Sequence, residues 1–187
     1  MSTDDHLRED QIDNHEAFSG RLLKVQVDLV RLPDGAEATR EYVRHPGAVA
    51  VVAVLDNGNL LFERQYRYPL RRVFLEIPAG KIDAGEDILA CAVRELREET
   101  GYEAAEWTYL GVIHPCIGYS DERIEFFLAR GLNHVGHALD DEEFLEVLEL
   151  SPAHAMAGVL DGTITDGKTI AGLFFARAHL ALPETVI

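Results

Sequence analysis

A chain of 187 residues with 47% hydrophobic and 27% charged side chains has globular composition, which excludes a fibrous repeat and a wholly disordered protein. Its formal charge of −16 works against binding long nucleic acids, whose affinity rests on basic side chains displacing counterions from phosphates. The same charge repels a small phosphorylated substrate unless a cation is recruited to the site.

Residues 1–17 are polar and acidic without a sustained period, and read as a flexible arm preceding one domain over residues 18–187. From Gly20 the segment RLLKVQVDLVRL places Leu23, Val25, Val27 and Leu29/Val30 at strand spacing, LPDG supplies a turn, and ATREYVRH returns, so an N-terminal antiparallel hairpin is expected over residues 18–45. Gly47 to Leu55, the turn DNGN and LLFERQYR read as a second antiparallel pair, followed by a short strand in FLEIPAG. Asp87 to Thr100 is predicted helical, with Asp87 as N-cap, Gly101 as left-handed stop and an apolar arc of Ile88, Leu89, Ala92, Val93 and Leu96. Strands are expected in WTYLGVI, RIEFFLARGL and FLEVLEL, separated by the loops HPCIGYSDE and HALDDEE, and helices near 152–160 and 166–181. Few helices among many strands predict an α/β sandwich with a mixed sheet. No apolar run approaches the roughly 20 residues that span a bilayer, and MSTDDHLRED lacks a basic, apolar leader pattern, so a cytoplasmic location without membrane partners is expected. Cys91 and Cys116 form no Cys-x-x-Cys pair; both read as reduced thiols, Cys91 as a small core residue.

The chemistry concentrates on the predicted helix at 87–100. At about 100° per residue Glu95, Glu98 and Glu99 share one arc. Two carboxylates roughly 4 Å apart repel by about 4 kcal/mol at an effective dielectric near 20, so the cluster needs either full solvation or a cation. RELREET alone also suits a solvated, glutamate-rich face. The wider spacing of Gly80, Glu86, Arg94, Glu95, Glu98, Glu99 and Gly101, G-x5-E-x7-R-E-x2-E-E-x-G, arises by chance in a chain of this length on the order of once in a million.

That spacing, written out as GKIDAGEDILACAVRELREETGY, resembles the Nudix box. The resemblance implies the Nudix α/β/α sandwich and a Mg²⁺-dependent, or Mn²⁺-dependent, hydrolase of phosphoanhydride bonds. It gives Glu95, Glu98, Glu99 and the carbonyl of Ala79 as metal ligands, oxygen donors that suit such hard cations. Glu98 is also a catalytic candidate, while Gly80, Glu86, Arg94 and Gly101 shape the motif, Arg94 pairing with Glu86 to orient the glutamates. Three segments outside the box are similar to the ADP-ribose pyrophosphatase branch. LFERQYRYP carries Arg67, matching a substrate arginine, and PCIGYSDER carries Glu122, matching a residue at the nucleotide end, with Ile117 where the branch has proline. DDEEFLEVLELS matches a loop with a catalytic glutamate: Glu142 fits best and Glu143 is its neighbour. By the same resemblance the arm and hairpin exchange in a homodimer, carrying Phe18 and Arg40 toward the partner's substrate; Phe18 equally suits a core anchor. The implied reaction is ADP-ribose to AMP and ribose 5-phosphate. GDP-mannose or another nucleoside diphosphate sugar is the alternative substrate, and a non-catalytic nucleotide-sensing module the alternative role.

Overall fold

The computed structural model of the chain describes residues 3–136 and 144–180. Two compact units emerge, Met1–His45 with Cys116–Glu122, and Pro46–Pro115 with Arg123–Ile187.

In the first unit β1 (Asp10–Ser19), β2 (Lys24–Arg31) and β3 (Glu37–Arg44) form an antiparallel sheet in that order. The predicted hairpin is its β2–β3 half, turned at Gly35 with φ 89°. The segment expected to be a flexible arm instead supplies a full strand. Its hold on β2 is polar: Gln11 Nε2 donates to Asp28 Oδ2 at 2.9 Å and Asn14 Nδ2 to Gln26 Oε1 at 3.0 Å. Gln26 and Asp28 are buried beneath these contacts. A strand held by amides and backbone bonds has no apolar alternation, so period-two reading passes over it.

In the second unit β4 (Ala48–Ala53), β5 (Leu60–Arg67), β6 (Arg72–Glu76) and β7 (Ala79–Lys81) precede helix α1 (Ile88–Thr100). Then follow β8 (Tyr102–Ile113), β9 (Ile124–His134), β10 (Leu145–Leu150), α2 (Pro152–Asp161) and α3 (Gly167–Ala176). The strands make two sheets, a mixed one in order β7-β4-β9-β8, with β4 parallel to β9, and an antiparallel one in order β10-β5-β6. β4 is apolar throughout because both faces are covered. Val49, Val51 and Ala53 share a core with Cys91, Ala92 and Leu96 of α1. Ala50 and Val52 share the other with Ala155 of α2 and Leu173 and Ala176 of α3. Helices therefore lie on both sides of the strands, the expected α/β/α sandwich. Gly172 allows α3 to come close, since a Cβ there would sit 2.7 Å from Ile77 Cδ1 and 3.2 Å from Val52 Cγ2.

Two expectations give way. β4 and β5 turn tightly through Gly58, φ 81°, yet share only the bridge Val54↔Leu60, because β7 and β9 already occupy both edges of β4. FLEIPAG is two strands in different sheets, β6 and β7, separated at Ile77 and Pro78, where proline has no N–H for a ladder.

Candidate active site

α1 begins where Asp87 accepts hydrogen bonds from Leu89 N and Ala90 N at 2.9 and 3.1 Å. It ends at Gly101, φ 75°, whose N–H reaches Arg97 O. The buried face carries Cys91, Ala92 and Leu96, but also Glu95 and Glu99 at 9% and 4% exposure. Leu89 and Val93, expected in the apolar arc, are exposed instead, displaced from the core side by these carboxylates. Burial and neighbouring Glu86 push the Cys91 thiol up to about 12, so it remains an inert core residue.

Arg94 gathers the motif's acids. Its Nε donates to Glu86 Oε1 at 2.9 Å and Nη2 to Glu86 Oε2 at 3.0 Å, a bidentate pair, while Nη1 reaches Glu95 Oε1 at 2.8 Å and Glu98 Oε2 at 2.9 Å. The bond from Arg94, with that from Asp83 N, holds the Glu86 carboxyl down at about 2. The Arg94 guanidinium is raised above its ordinary range, chiefly by Glu86. Glu99 Oε2 accepts from Ala79 N at 2.9 Å, tying the helix to β7. Glu95 lies directly against Gly80, where a Cβ would come 1.9 Å from its Cδ. Only glycine permits that approach.

Behind these residues the second sheet contributes two further buried carboxylates, Glu63 and Glu76, each 3% exposed. Glu63 hydrogen-bonds Glu99, and its Oε1 finds no partner among the described residues. Burial above all pushes the Glu63 carboxyl up to about 8, against the pull of Glu99, Lys168 and Arg67. Glu76 is also driven up by burial, but Arg67 and Lys168 more than offset this, leaving its carboxyl below the usual range. Arg67 Nε donates to Glu76 Oε1 at 2.8 Å and Arg67 Nη2 to Glu76 Oε2 at 2.7 Å; Lys168 Nζ shares Oε2. Lys168 Nζ also reaches Asp166 Oδ2 at 3.0 Å, and Asp166 caps α3 through Thr169 N. Arg67 is therefore fixed by a carboxylate rather than lying loose on a sheet edge.

Glu63, Glu76 and Lys168 escape sequence reading. In LLFERQYR and FLEIPAG the glutamates look like outward positions of half-exposed strands. The signal available was the fully apolar LLF just before Glu63, which marks a strand covered on both faces.

Of the remaining predicted residues, Phe18, Arg40 and Glu122 belong to the first unit. On the first unit Arg40 is engaged with Glu9, its Nε donating to Glu9 Oε2 at 2.8 Å. Phe18 is 55% exposed, which removes the core-anchor reading. Glu122 sits 3.8 Å from His45 Nδ1. Glu142 and Glu143 lie outside the described residues.

The donor set tests whether a divalent cation fits. Among the described residues no three His, Cys, Asp or Glu side chains are poised around one point, because Arg94 bridges Glu95 and Glu98. Among the described residues, however, the buried Oε1 of Glu63 lacks a partner, and the missing Cβ of Gly80 makes room for the Glu95 carboxyl, an oxygen donor of the kind hard cations take. The carboxylates of α1 are the donor type such an ion takes, and in this structure Arg94 holds Glu95 and Glu98.

Comparison with known proteins matches residues 44–172 to the NUDIX domain. The methanol dehydrogenase activator of Bacillus methanolicus is 41% identical over 176 residues, covering 93% of this chain and 95% of its own. The ADP-ribose pyrophosphatase of Bacillus subtilis (strain 168) is 40% identical over 182 residues, 96% of each chain. Among solved structures an ADP compounds hydrolase superposes with a TM-score of 0.81 at 24% identity, covering 92% of this chain and 94% of that one. No helix of the described residues is long and apolar enough to cross a membrane.

Proposed function

The chain belongs to the Nudix family, and on that premise we propose that it hydrolyses the pyrophosphate bond of a nucleoside diphosphate sugar, ADP-ribose first, giving AMP and ribose 5-phosphate. The observation that carries this is the run of Glu95, Glu98 and Glu99 along α1, with Glu99 bonded to Ala79 N, Glu95 against Gly80, and Arg94 gathering Glu86, Glu95 and Glu98. Likeness to an ADP-ribose pyrophosphatase over 96% of both chains supports the substrate.

In this reading Glu95, Glu98, Glu99 and the Ala79 carbonyl hold Mg²⁺ or Mn²⁺. When bound, the ion supplies Lewis-acid stabilisation of phosphate charge and lowers the pKa of water. Glu86 retains Arg94, so that the helix acids are released for binding without leaving the guanidinium unpaired. Arg67 offers its outer edge to a phosphate oxygen. Water forms the new P–O bond, the bridging P–O bond breaks, and the proton passes to a carboxylate base, with Glu142, its neighbour Glu143 and Glu98 as candidates. Glu122, Arg40 and Phe18 serve substrate contacts, the last two across a cytoplasmic homodimer. Support for that dimer is a first strand exposed along its whole length and carrying an exposed phenylalanine.

A second reading has its own observation: a relative at 41% identity is named an activator of another enzyme. Incubation with Mg²⁺ and ADP-ribose or GDP-mannose, with products separated by ion exchange, tests both. AMP and ribose 5-phosphate are expected. ADP-ribose left intact while GDP-mannose is cut would overturn the substrate. A wild type as inert as Glu98→Gln/Glu99→Gln on both would favour the non-catalytic reading.

A further inference from the structure

Among the described residues Arg67 is held on one edge only. Nε and Nη2 are both committed to Glu76, Nη1 takes part in neither bond, and the side chain is 43% exposed. A guanidinium so placed can present its remaining edge to an anionic oxygen. Its charge, however, faces a carboxylate that is almost wholly buried.

The charges around it decide whether that edge attracts a phosphate. Glu76 and Asp166 bring two negative charges; Arg67 and Lys168 bring two positive ones. Lys168 is itself largely buried, 14% exposed, and its Nζ bridges Glu76 and Asp166. With Lys168 present these four charges sum to zero, leaving the nearby Glu99 carboxylate as the further negative charge acting on Arg67. Without Lys168 the four lose one positive charge, and a net negative charge is added to that of Glu99 beside the anion to be bound. Lys168 is also fixed from behind. Asp166 accepts from Thr169 N and Thr169 Oγ1 at 3.0 and 2.6 Å, and Thr169 Oγ1 in turn accepts from Ile77 N at 3.0 Å, next to Glu76. The start of α3 and the end of β6 are thereby locked together around one carboxylate.

We propose that Lys168 is a positioning residue for substrate binding, which neutralises Glu76 so that Arg67 can spend its charge on a phosphate of a nucleoside diphosphate. This rests on the diphosphate reading for its substrate, and it places a determinant of affinity on α3, outside the Nudix box. Lys168 acts through Arg67 and touches no reacting atom, so its loss appears in KM and leaves kcat nearly unchanged.

The test is a double-variant cycle with Lys168→Met, Arg67→Gln and the two combined, read as KM for ADP-ribose and as calorimetric affinity for inorganic pyrophosphate in Mg²⁺. Lys168→Met should weaken both by about tenfold, Lys168→Arg should restore them to within about twofold, and in the Arg67→Gln background Lys168→Met should add nothing. Unchanged KM and pyrophosphate affinity in Lys168→Met, or an equal loss in both backgrounds, would overturn the inference. If Lys168→Met does not fold, Lys168→Gln takes its place in the same cycle. Pyrophosphate binding needs no turnover, so a wild type that cleaves no diphosphate sugar defeats the functional reading while the cycle still decides the role of Lys168.

Discussion

Replacing Glu63 with glutamine isolates the cost of the buried acid pair. In the folded chain burial pushes this carboxyl up to about 8 from its ordinary value of 4.5. Between those values the native state keeps the proton and the unfolded state releases it, so the contribution of Glu63 to stability is greatest below 4.5 and declines as pH rises, levelling off above about 8. At about 1.4 kcal/mol per unit the full decline is on the order of 5 kcal/mol. Glutamine is neutral at every pH, so Glu63→Gln escapes the decline. At about 2–4 °C per kcal/mol for a chain of this size, the variant should gain on the order of 10 °C in melting temperature over wild type between pH 5 and pH 9. Thermal unfolding followed by circular dichroism across that range, in a chelator, measures it. Wild-type and variant curves that stay parallel from pH 5 to pH 9 would refute the reasoning, because Glu63 would then titrate as an ordinary surface acid.

Gly80→Ala should reduce hydrolysis at least a hundredfold with the fold intact, since the new Cβ at 1.9 Å from Glu95 Cδ expels a flexible side chain rather than backbone; activity together with a melting curve reads both effects. Gly172→Ala should do the opposite, costing about 1–3 kcal/mol by overpacking against Ile77 and Val52, measured by urea unfolding. Asp87→Ala should lose about 1 kcal/mol of stability in the same assay by removing the α1 N-cap.

Where the sequence was legible, local chemistry and global packing agreed. Asp87 and Gly101 bound α1 because a cap side chain and a left-handed glycine act within a few residues of the chain. The spacing of the box acids was legible for the same reason, being the period of one helix. Pairing between distant strands was not. β4 and LLFERQYR flank a true tight turn, and only the arrival of β7 and β9 on both edges of β4 diverts them into two sheets. β1 was illegible because amides, not apolar side chains, hold it to Asp28 and Gln26. The inner layer of the site was hidden most completely. Glu63, Glu76 and Lys168 come from β5, β6 and α3, and their meeting depends on α3 closing over the strands through Gly172. No spacing within any one element encodes that contact.

Uptake of Mg²⁺, measured by titration calorimetry on the metal-free protein in the presence of a nucleoside diphosphate, bears most directly on the carboxylate pocket as a cation-dependent hydrolytic site. Saturable binding by the wild type that disappears in Glu98→Gln/Glu99→Gln is the predicted result. No heat of binding with Mg²⁺ or Mn²⁺, or equal binding by the double variant, would contradict it.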